Sequence, residues 1–417
     1  MKDFSIFTLG CKVNQVESAS IGEVLAQNGF TVTLDLASAA NYILNTCSVT
    51  HEADKKSRQA LTRALKLNPA ANIFVVGCSS QFDPQVFRGN PNVRMVAGTA
   101  GKGSAVDTIL EYVRTPNDAQ CVCIEPIPIA YEPLIKPLKS RTRALLKVQD
   151  GCDNYCSYCI VPYLRGPSRS RPLDDIIKEA LALAQESQEI TLTGICLSNY
   201  RVDGKPALAK LVHAFADVSV PRKRLGSLHP DSITSDFLDA MVESGFCHHI
   251  HLSVQSGSDT VLKRMNRPYA AQSVLEKIAL IRSRMPDCGI TSDIIAGFSG
   301  ETEKEFNETA EFLYAAKFSD THIFAYSERE GTAAAKWKQV EKHVRIARAA
   351  SLKKIAAETR SAFLFSQIGR QADVLFEKGG SGYTANYIKV YADAAQGTVA
   401  NVSLVQKYKD GISGKII

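Results

Sequence analysis

Ala144-Leu-Leu-Lys-Val-Gln-Asp-Gly-Cys-Asp-Asn-Tyr-Cys-Ser-Tyr-Cys-Ile160 decides how this chain is read. Residues 144–148 form a short apolar run of strand length, and Cys152, Cys156 and Cys159 follow directly. Three thiols in the spacing Cys-x3-Cys-x2-Cys can converge on one small inorganic core. A structural zinc site closes on four ligands. A cubane iron–sulfur cluster has four irons and usually takes four thiolates. Three local cysteines with no obvious fourth leave an iron open to something that is not protein. An open metal position is a reactive one.

Working outward, 144–148 opens a βα series. Further strand candidates are 189–193, 224–228, 249–254, 290–295 and 322–326, with helical patterns at 174–186, 262–284 (broken near Pro268) and 303–316. Six such units are too few for a closed eight-unit barrel and suit an open, partial (β/α)6 barrel, whose chemistry sits at the carboxyl ends of the strands. Upstream, strand candidates 4–9, 42–45, 73–77 and 93–97 alternate with helical stretches 16–27, 53–67 and 102–112. That alternation argues for a parallel sheet with covering helices. Downstream, 338–364 reads as one long helix. Residues 374–377, 387–391 and 398–405 then read as strands, with turn signals at 379–380 and 410–411. The expected fold class is α/β. Its domains are an N-terminal parallel-sheet α/β domain (1–125), a Pro-rich linker (126–140), a partial barrel (141–368) and a small all-β barrel (369–417).

Composition bounds the class. The chain has 417 residues, 45% hydrophobic and 22% charged, with a net charge of +6. Length favours two or three domains. No apolar run approaches the roughly 20 residues that span a bilayer, and the first residues lack a signal peptide's apolar stretch. A cytoplasmic location is expected, with the eleven cysteines mostly reduced. Basic residues cluster near the cysteine segment: Lys136, Lys139, Arg141, Arg143 and Lys147 before it, Arg165, Arg169 and Arg171 after it. Arg222, Lys223 and Arg224 form another run. Basic groups flanking a reactive site fit a polyanionic substrate; solvated surface charge is the plainer alternative.

Cys11, Cys47 and Cys78 share a setting. Each closes a strand candidate and precedes a helical pattern, which in a parallel sheet places all three at the carboxyl edge. Gly10 and Gly77 allow the backbone to approach a bulky group. These thiols could hold a second cluster, or simply pack. A zinc site completed by a histidine such as His51 also stays open. Cys121, Cys123, Cys196, Cys247 and Cys288 share no setting and are read as packing residues.

The segment 147–166 resembles the radical S-adenosylmethionine (SAM) enzymes and, more narrowly, the methylthiotransferase family. Thr8-Leu-Gly-Cys-Lys-Val-Asn-Gln15, Asn45-Thr-Cys-Ser-Val-Thr50 and Val76-Gly-Cys78 are similar to that family's N-terminal cluster motifs. His251-Leu-Ser-Val-Gln-Ser-Gly-Ser-Asp259, Lys263-Arg-Met-Asn-Arg267 and Asp293-Ile-Ile-Ala-Gly297 are similar to its barrel motifs. The segment 382–390 resembles the TRAM module, a small RNA-binding β-barrel.

The resemblance implies two 4Fe–4S clusters and SAM as cofactors. Cys152, Cys156 and Cys159 would hold the cluster that binds and cleaves SAM to a 5′-deoxyadenosyl radical. Cys11, Cys47 and Cys78 would hold the one that presents sulfur. Tyr158, Thr193, Gly194, Gln255, Ser256, Asp293 and Gly297 would lie at the SAM site. Acid–base catalysis is a poor route to an unactivated C–H carbon, so cofactor radical chemistry is the plausible one. The family commonly has proline where this chain has Ser299, which frees a backbone angle there.

The spellings around Cys11 and Cys47 resemble the branch that methylthiolates carbon-2 of threonylcarbamoyladenosine at position 37 of tRNA. Isopentenyladenosine tRNA or a ribosomal-protein aspartate are the alternatives within the family. A zinc-stabilised, non-catalytic RNA-binding protein is the alternative outside it. Implied partners are the tRNA anticodon stem-loop, which Tyr383, Tyr387 and Tyr391 could stack on, and an electron donor such as flavodoxin or ferredoxin. The family further implies a monomer and no membrane.

Overall fold

The computed structural model describes residues 3–117, 119–134, 142–377 and 379–417. The basic positions Lys136, Lys139 and Arg141, and much of the expected linker, lie outside the described residues. Six parallel strands build the N-terminal sheet: β1 (Asp3–Thr8), β2 (Thr31–Thr33), β3 (Asn41–Thr46), β4 (Asn72–Gly77), β5 (Val93–Ala97) and β6 (Cys121–Cys123). Their order is β2-β1-β3-β4-β5-β6. Alternate residues of each central strand feed opposite cores. Phe4, Ile6, Ile43, Phe74 and Met95 pack under α1 (Lys12–Gln27) and the helix Lys102–Arg114. Tyr42, Leu44, Ile73 and Val75 pack under α2 (His51–Leu67). Thr50 caps α2 by accepting from the Ala53 N–H, with Glu52 and Asp54 in the first turn. The two edge strands β2 and β6 are three residues each, too short for a periodicity signal, and neither stands among the strand candidates above.

The partial barrel has the expected six strands, parallel where Glu189–Thr193 meets Arg222–Leu225 and throughout the second sheet. Arg143–Lys147, Glu189–Thr193 and Arg222–Leu225 form one sheet, and His249–Gln255, Gly289–Ala296 and Asp320–Ala325 the other. Two isolated parallel bridges, Lys223 to Phe246 and Leu228 to Leu252, link the segments that carry them. The expected helix break near Pro268 is present, between Asp259–Arg264 and Ala271–Arg284. A 26-residue helix, Lys342–Gln367, leads to a closed five-stranded barrel over Val374, Phe376, Val390, Val402, Leu404 and Ile412. Two of its strands, Ser381–Thr384 and Gly411–Ile416, escaped the sequence reading.

Among the described residues the chain packs as two compact units. One lies within 1–139, 147–171 and 327–332, the other within 140–146, 172–326 and 333–417. These units cut across the expected limits of 125 and 141. The cysteine segment that follows the first barrel strand packs with the N-terminal sheet. Both cysteine triads therefore belong to one unit. No described helix is long and apolar enough to cross a membrane.

Candidate functional site

The first triad sits on a loop pinned at both ends. The Cys152 N–H donates to the Gly166 carbonyl at 3.0 Å, and the Cys159 N–H to the Cys156 carbonyl at 2.9 Å. Gly151 has φ +70°, and a Cβ there would stand 1.9 Å from the Pro167 carbonyl oxygen, so only glycine lets the chain turn into the loop. The Asp150 carboxylate accepts from the Gly151 N–H at 2.7 Å, and the Asp153 carboxylate from the Ser168 N–H at 2.8 Å. Cys156 is buried, while Cys152, Cys159 and Tyr158 are half-buried.

The second triad is assembled by the sheet. Cys11 is the N-cap of α1, Cys47 follows β3, and Cys78 opens the short helix α3 (Cys78–Phe82) after β4. The rim forms as the sequence implies, because adjacent parallel strands end level with one another. Gly10, at φ +97°, lies against Cys47: a Cβ would come within 2.8 Å of its Sγ. Cys11 is open to solvent, whereas Cys47 and Cys78 are buried. The three thiols interact electrostatically with one another, and burial first, then Cys78 and Cys11, pushes the Cys47 thiol up to about 11. Metal binding would displace such protons.

The zinc alternative fits this geometry poorly. Thiolates on zinc at roughly 2.3 Å stand about 3.8 Å apart. Among the described residues, the donor atoms found within 4.8 Å of one another are those of His251, Asp293 and His322, and neither cysteine triad closes to that spacing. A four-iron core is bulkier and holds its thiolates farther apart. His51 is exposed at the start of α2.

Charges around the triads correct the sequence reading. Lys147, Arg165 and Arg169 are buried, neither solvated nor facing a substrate. Arg165 is 2% exposed. It donates to Glu17 (3.0 and 3.2 Å), to Asp150 (3.1 and 3.2 Å) and to Asn14 (2.7 Å). Lys147 bridges the same two carboxylates at 3.2 and 2.6 Å. Burial works against the Arg165 charge, but Glu17, Asp150, Cys78 and Cys11 favour it, and its pKa is raised. Buried Arg329 donates to the Ser48 hydroxyl, lies 4.1 Å over the Phe82 ring, and is electrostatically coupled to Cys47. Arg329 and Glu17 were missed because nothing near them in sequence marks them as neighbours of a cysteine.

The second unit holds the other expected site residues. Thr193 ends its strand buried, with Gly194 next. Gln255 ends its strand at φ +77°, a costly angle for a non-glycine. Ser256 is fully buried, its hydroxyl 3.2 Å from that of Thr309 on the helix Glu303–Ala316. Asp293 bridges two imidazoles, His251 Nε2 at 3.0 Å and His322 Nδ1 at 3.2 Å. Burial opposes its charge, but those two rings hold its carboxyl well below the usual range. The Gly297 N–H donates to Glu301 at 2.9 Å. Ser299 replaces the missing proline's constraint with a hydrogen bond from its hydroxyl to the Ala334 carbonyl at 3.0 Å.

The run Arg222, Lys223, Arg224 is also buried. Arg222 and Arg224 pair with Glu189 at 3.1 and 3.2 Å and donate to the backbone of 383–385. Tyr387 stacks on His249 (4.5 Å) and Tyr383 (4.8 Å), with Arg224 over the Tyr387 ring and Arg143 over that of Tyr383. Tyr383 and Tyr387 are thus engaged within the unit, while Tyr391 packs edge-on to Tyr408 beside Lys389 and Lys409. Cys121 and Cys123, expected as free packing thiols, are joined as a disulfide. Cys196, Cys247 and Cys288 are buried as expected.

Residues 146–313 match the radical SAM superfamily, and 3–98 match Uncharacterized protein family UPF0004. The threonylcarbamoyladenosine tRNA methylthiotransferase MtaB of Bacillus subtilis is 34% identical, covering 99% of this chain and 95% of the relative. That of Thermotoga maritima is 37% identical, covering 93% and 91%. A tRNA-2-methylthio-N(6)-dimethylallyladenosine synthase of Thermodesulfovibrio yellowstonii is 32% identical, covering 99% and 98%. Among solved structures, the radical SAM methyltransferase TsrM of Kitasatospora setae shares the fold at a TM-score of 0.56 and 13% identity, covering 80% of this chain and 74% of that one. Matched end to end at such identity, and with the superfamily's three-cysteine loop in place, the chain belongs to the radical SAM methylthiotransferase family, enzymes that transfer a sulfur-containing group.

Proposed function

We propose that this enzyme inserts a methylthio group at carbon-2 of threonylcarbamoyladenosine at position 37 of tRNA. The observation that carries the reading is the presence of two separate three-cysteine sets in one packed unit. The names of the Bacillus subtilis and Thermotoga maritima relatives support this base, and that of the Thermodesulfovibrio yellowstonii relative keeps dimethylallyladenosine as the second reading.

Cys152, Cys156 and Cys159 would hold one 4Fe–4S cluster and Cys11, Cys47 and Cys78 the other. When bound, the first with SAM supplies a radical able to take hydrogen from an unactivated carbon, and the second supplies sulfur. The protein's part is placement and shielding. Asp150 and Gly151 fix the first loop. Buried Cys47 and Cys78 anchor the second set from the sheet rim, leaving its Cys11 side open. Thr193, Gly194, Gln255, Asp293 and Gly297 would be the second unit's contribution to orienting SAM. RNA contact falls to the terminal barrel, through Tyr391 and Tyr408 with the cations Lys389 and Lys409. A flavodoxin or ferredoxin provides the electron, and the enzyme acts in the cytoplasm as a monomer. The test is the mass of the anticodon fragment from cells lacking the gene. Loss of the methylthio mass on threonylcarbamoyladenosine is expected; its persistence there, or its loss from an isopentenyladenosine fragment alone, sinks the reading.

A further inference from the structure

We propose that Arg165 is a positioning residue for the cluster on Cys11, Cys47 and Cys78, supplying from the cysteine-loop segment the buried positive charge that this cluster needs. The inference rests on the second cluster proposed above.

Arg165 ends the short helix Val161–Arg165, directly after the Cys152–Cys159 loop. Its side chain nevertheless turns to the N-terminal triad. Its Nη2 donates to Asn14 Oδ1, and that same oxygen accepts from Cys11 Sγ at 3.6 Å. Asn14 in turn donates to the carbonyls of Leu9 and Thr46, the residues that lead into Cys11 and Cys47. Ile160 and Leu164 of the same segment pack on Cys78. One guanidinium therefore touches the scaffold of two cysteines and, electrostatically, reaches Cys78 and Cys11.

The charge balance around it is uneven. Two buried carboxylates, Glu17 and Asp150, face four buried cations, Arg165, Lys147, Arg169 and Lys102. A surplus buried charge is costly unless something anionic answers it. Three thiolates around a cubane core are such an anion. Net charge and hydrogen bonding near an iron–sulfur cluster set its reduction potential. A fixed cation favours the more negative, reduced state, so Arg165 raises the potential. Arg329, coupled to Cys47, acts in the same sense.

The experiment uses the full chain carrying Cys152→Ala, Cys156→Ala and Cys159→Ala, reconstituted anaerobically so that only the N-terminal cluster remains. The readouts are its reduction potential, followed by electron paramagnetic resonance, and the half-time of iron loss to a chelator. Arg165→Met should move the potential to more negative values and shorten the half-time about tenfold. Arg165→Lys should stay near the parent. Glu17→Gln, nearly isosteric, should move the potential the opposite way, and it decides the case if Arg165→Met does not fold. An iron-loaded parent whose potential is unmoved by Glu17→Gln and by any folded Arg165→Met overturns the proposal alone. A parent that takes up no iron overturns the second-cluster reading first, and this proposal with it.

Discussion

The two cysteine triads solve one problem in opposite ways. Cys152, Cys156 and Cys159 stand on a single loop whose conformation is fixed locally, by Gly151, Asp150 and two backbone hydrogen bonds. Cys11, Cys47 and Cys78 are brought together by three parallel strands, with Asn14 tying the approaches to the first two. The first set can be damaged by one loop residue. The second is as stable as the sheet beneath it, and depends on a cation delivered from the first set's own segment. In the proposed chemistry that difference suits the roles: SAM must enter and leave the loop, while a sulfur-bearing cluster must stay put.

The hardest blow to the comparison comes from single cysteines. Cys156→Ala should abolish reductive SAM cleavage, a loss of at least about a thousandfold, given that no acid–base route replaces the radical. Cys47→Ala should leave SAM cleavage to 5′-deoxyadenosine measurable while methylthio insertion disappears, as read by chromatography of both products. If both variants lose both activities equally, the division of labour between the triads fails.

Next in size is Arg165→Met, which takes the guanidinium from Glu17, Asp150 and Asn14 but leaves Lys147 on both carboxylates. The loss should stay below the about 3–5 kcal/mol of a buried ion pair broken from one side, to be read as a lowered denaturation midpoint of the metal-free chain. Gly10→Ala and Gly151→Ala sharpen the contrast. The second drives a Cβ into the Pro167 carbonyl and should disorder the first set. The first presses on Cys47 and should empty the second set while sparing SAM cleavage. Each also forces alanine into a left-handed conformation, worth about 1–3 kcal/mol.

The smallest expected effect is in acid. Burial would raise the Glu17 pKa, but Arg165, Lys147 and Lys102 together hold it down to about 2, against an ordinary 4.5. A carboxylate depressed in the folded state contributes stability that is full above its unfolded pKa and lost as pH falls through the folded one. The metal-free chain should therefore lose stability between about pH 4.5 and pH 2, and Glu17→Gln should flatten that slope in acid titrations followed by circular dichroism.

Legibility in the sequence followed distance along the chain. The loop triad is visible because its ligands share eight residues, and the six barrel strands because each is a periodic run bounded by turns. The sheet-rim triad is visible only as a repeated setting, strand then cysteine then helix. What could not be read is pairing at long range. Arg165 meets Glu17 across 148 positions of sequence, so a basic cluster near a reactive loop looked like a surface for a polyanion. Arg222 and Arg224 were misread for the same reason, their partners being Glu189 and the backbone of the terminal barrel. Tyr383 and Tyr387 suggested base stacking but are spent on His249 and on each other. The three-residue strands β2 and β6 are too short to show a period of two.

Counting iron and sulfide in anaerobically prepared protein tests the two-triad account most directly. The full chain should hold about eight irons, four per cubane. It should fall to about four when Cys11, Cys47 and Cys78 are replaced by alanine, and equally to about four when Cys152, Cys156 and Cys159 are. About four irons in the unaltered chain, all lost with the loop cysteines, would contradict it.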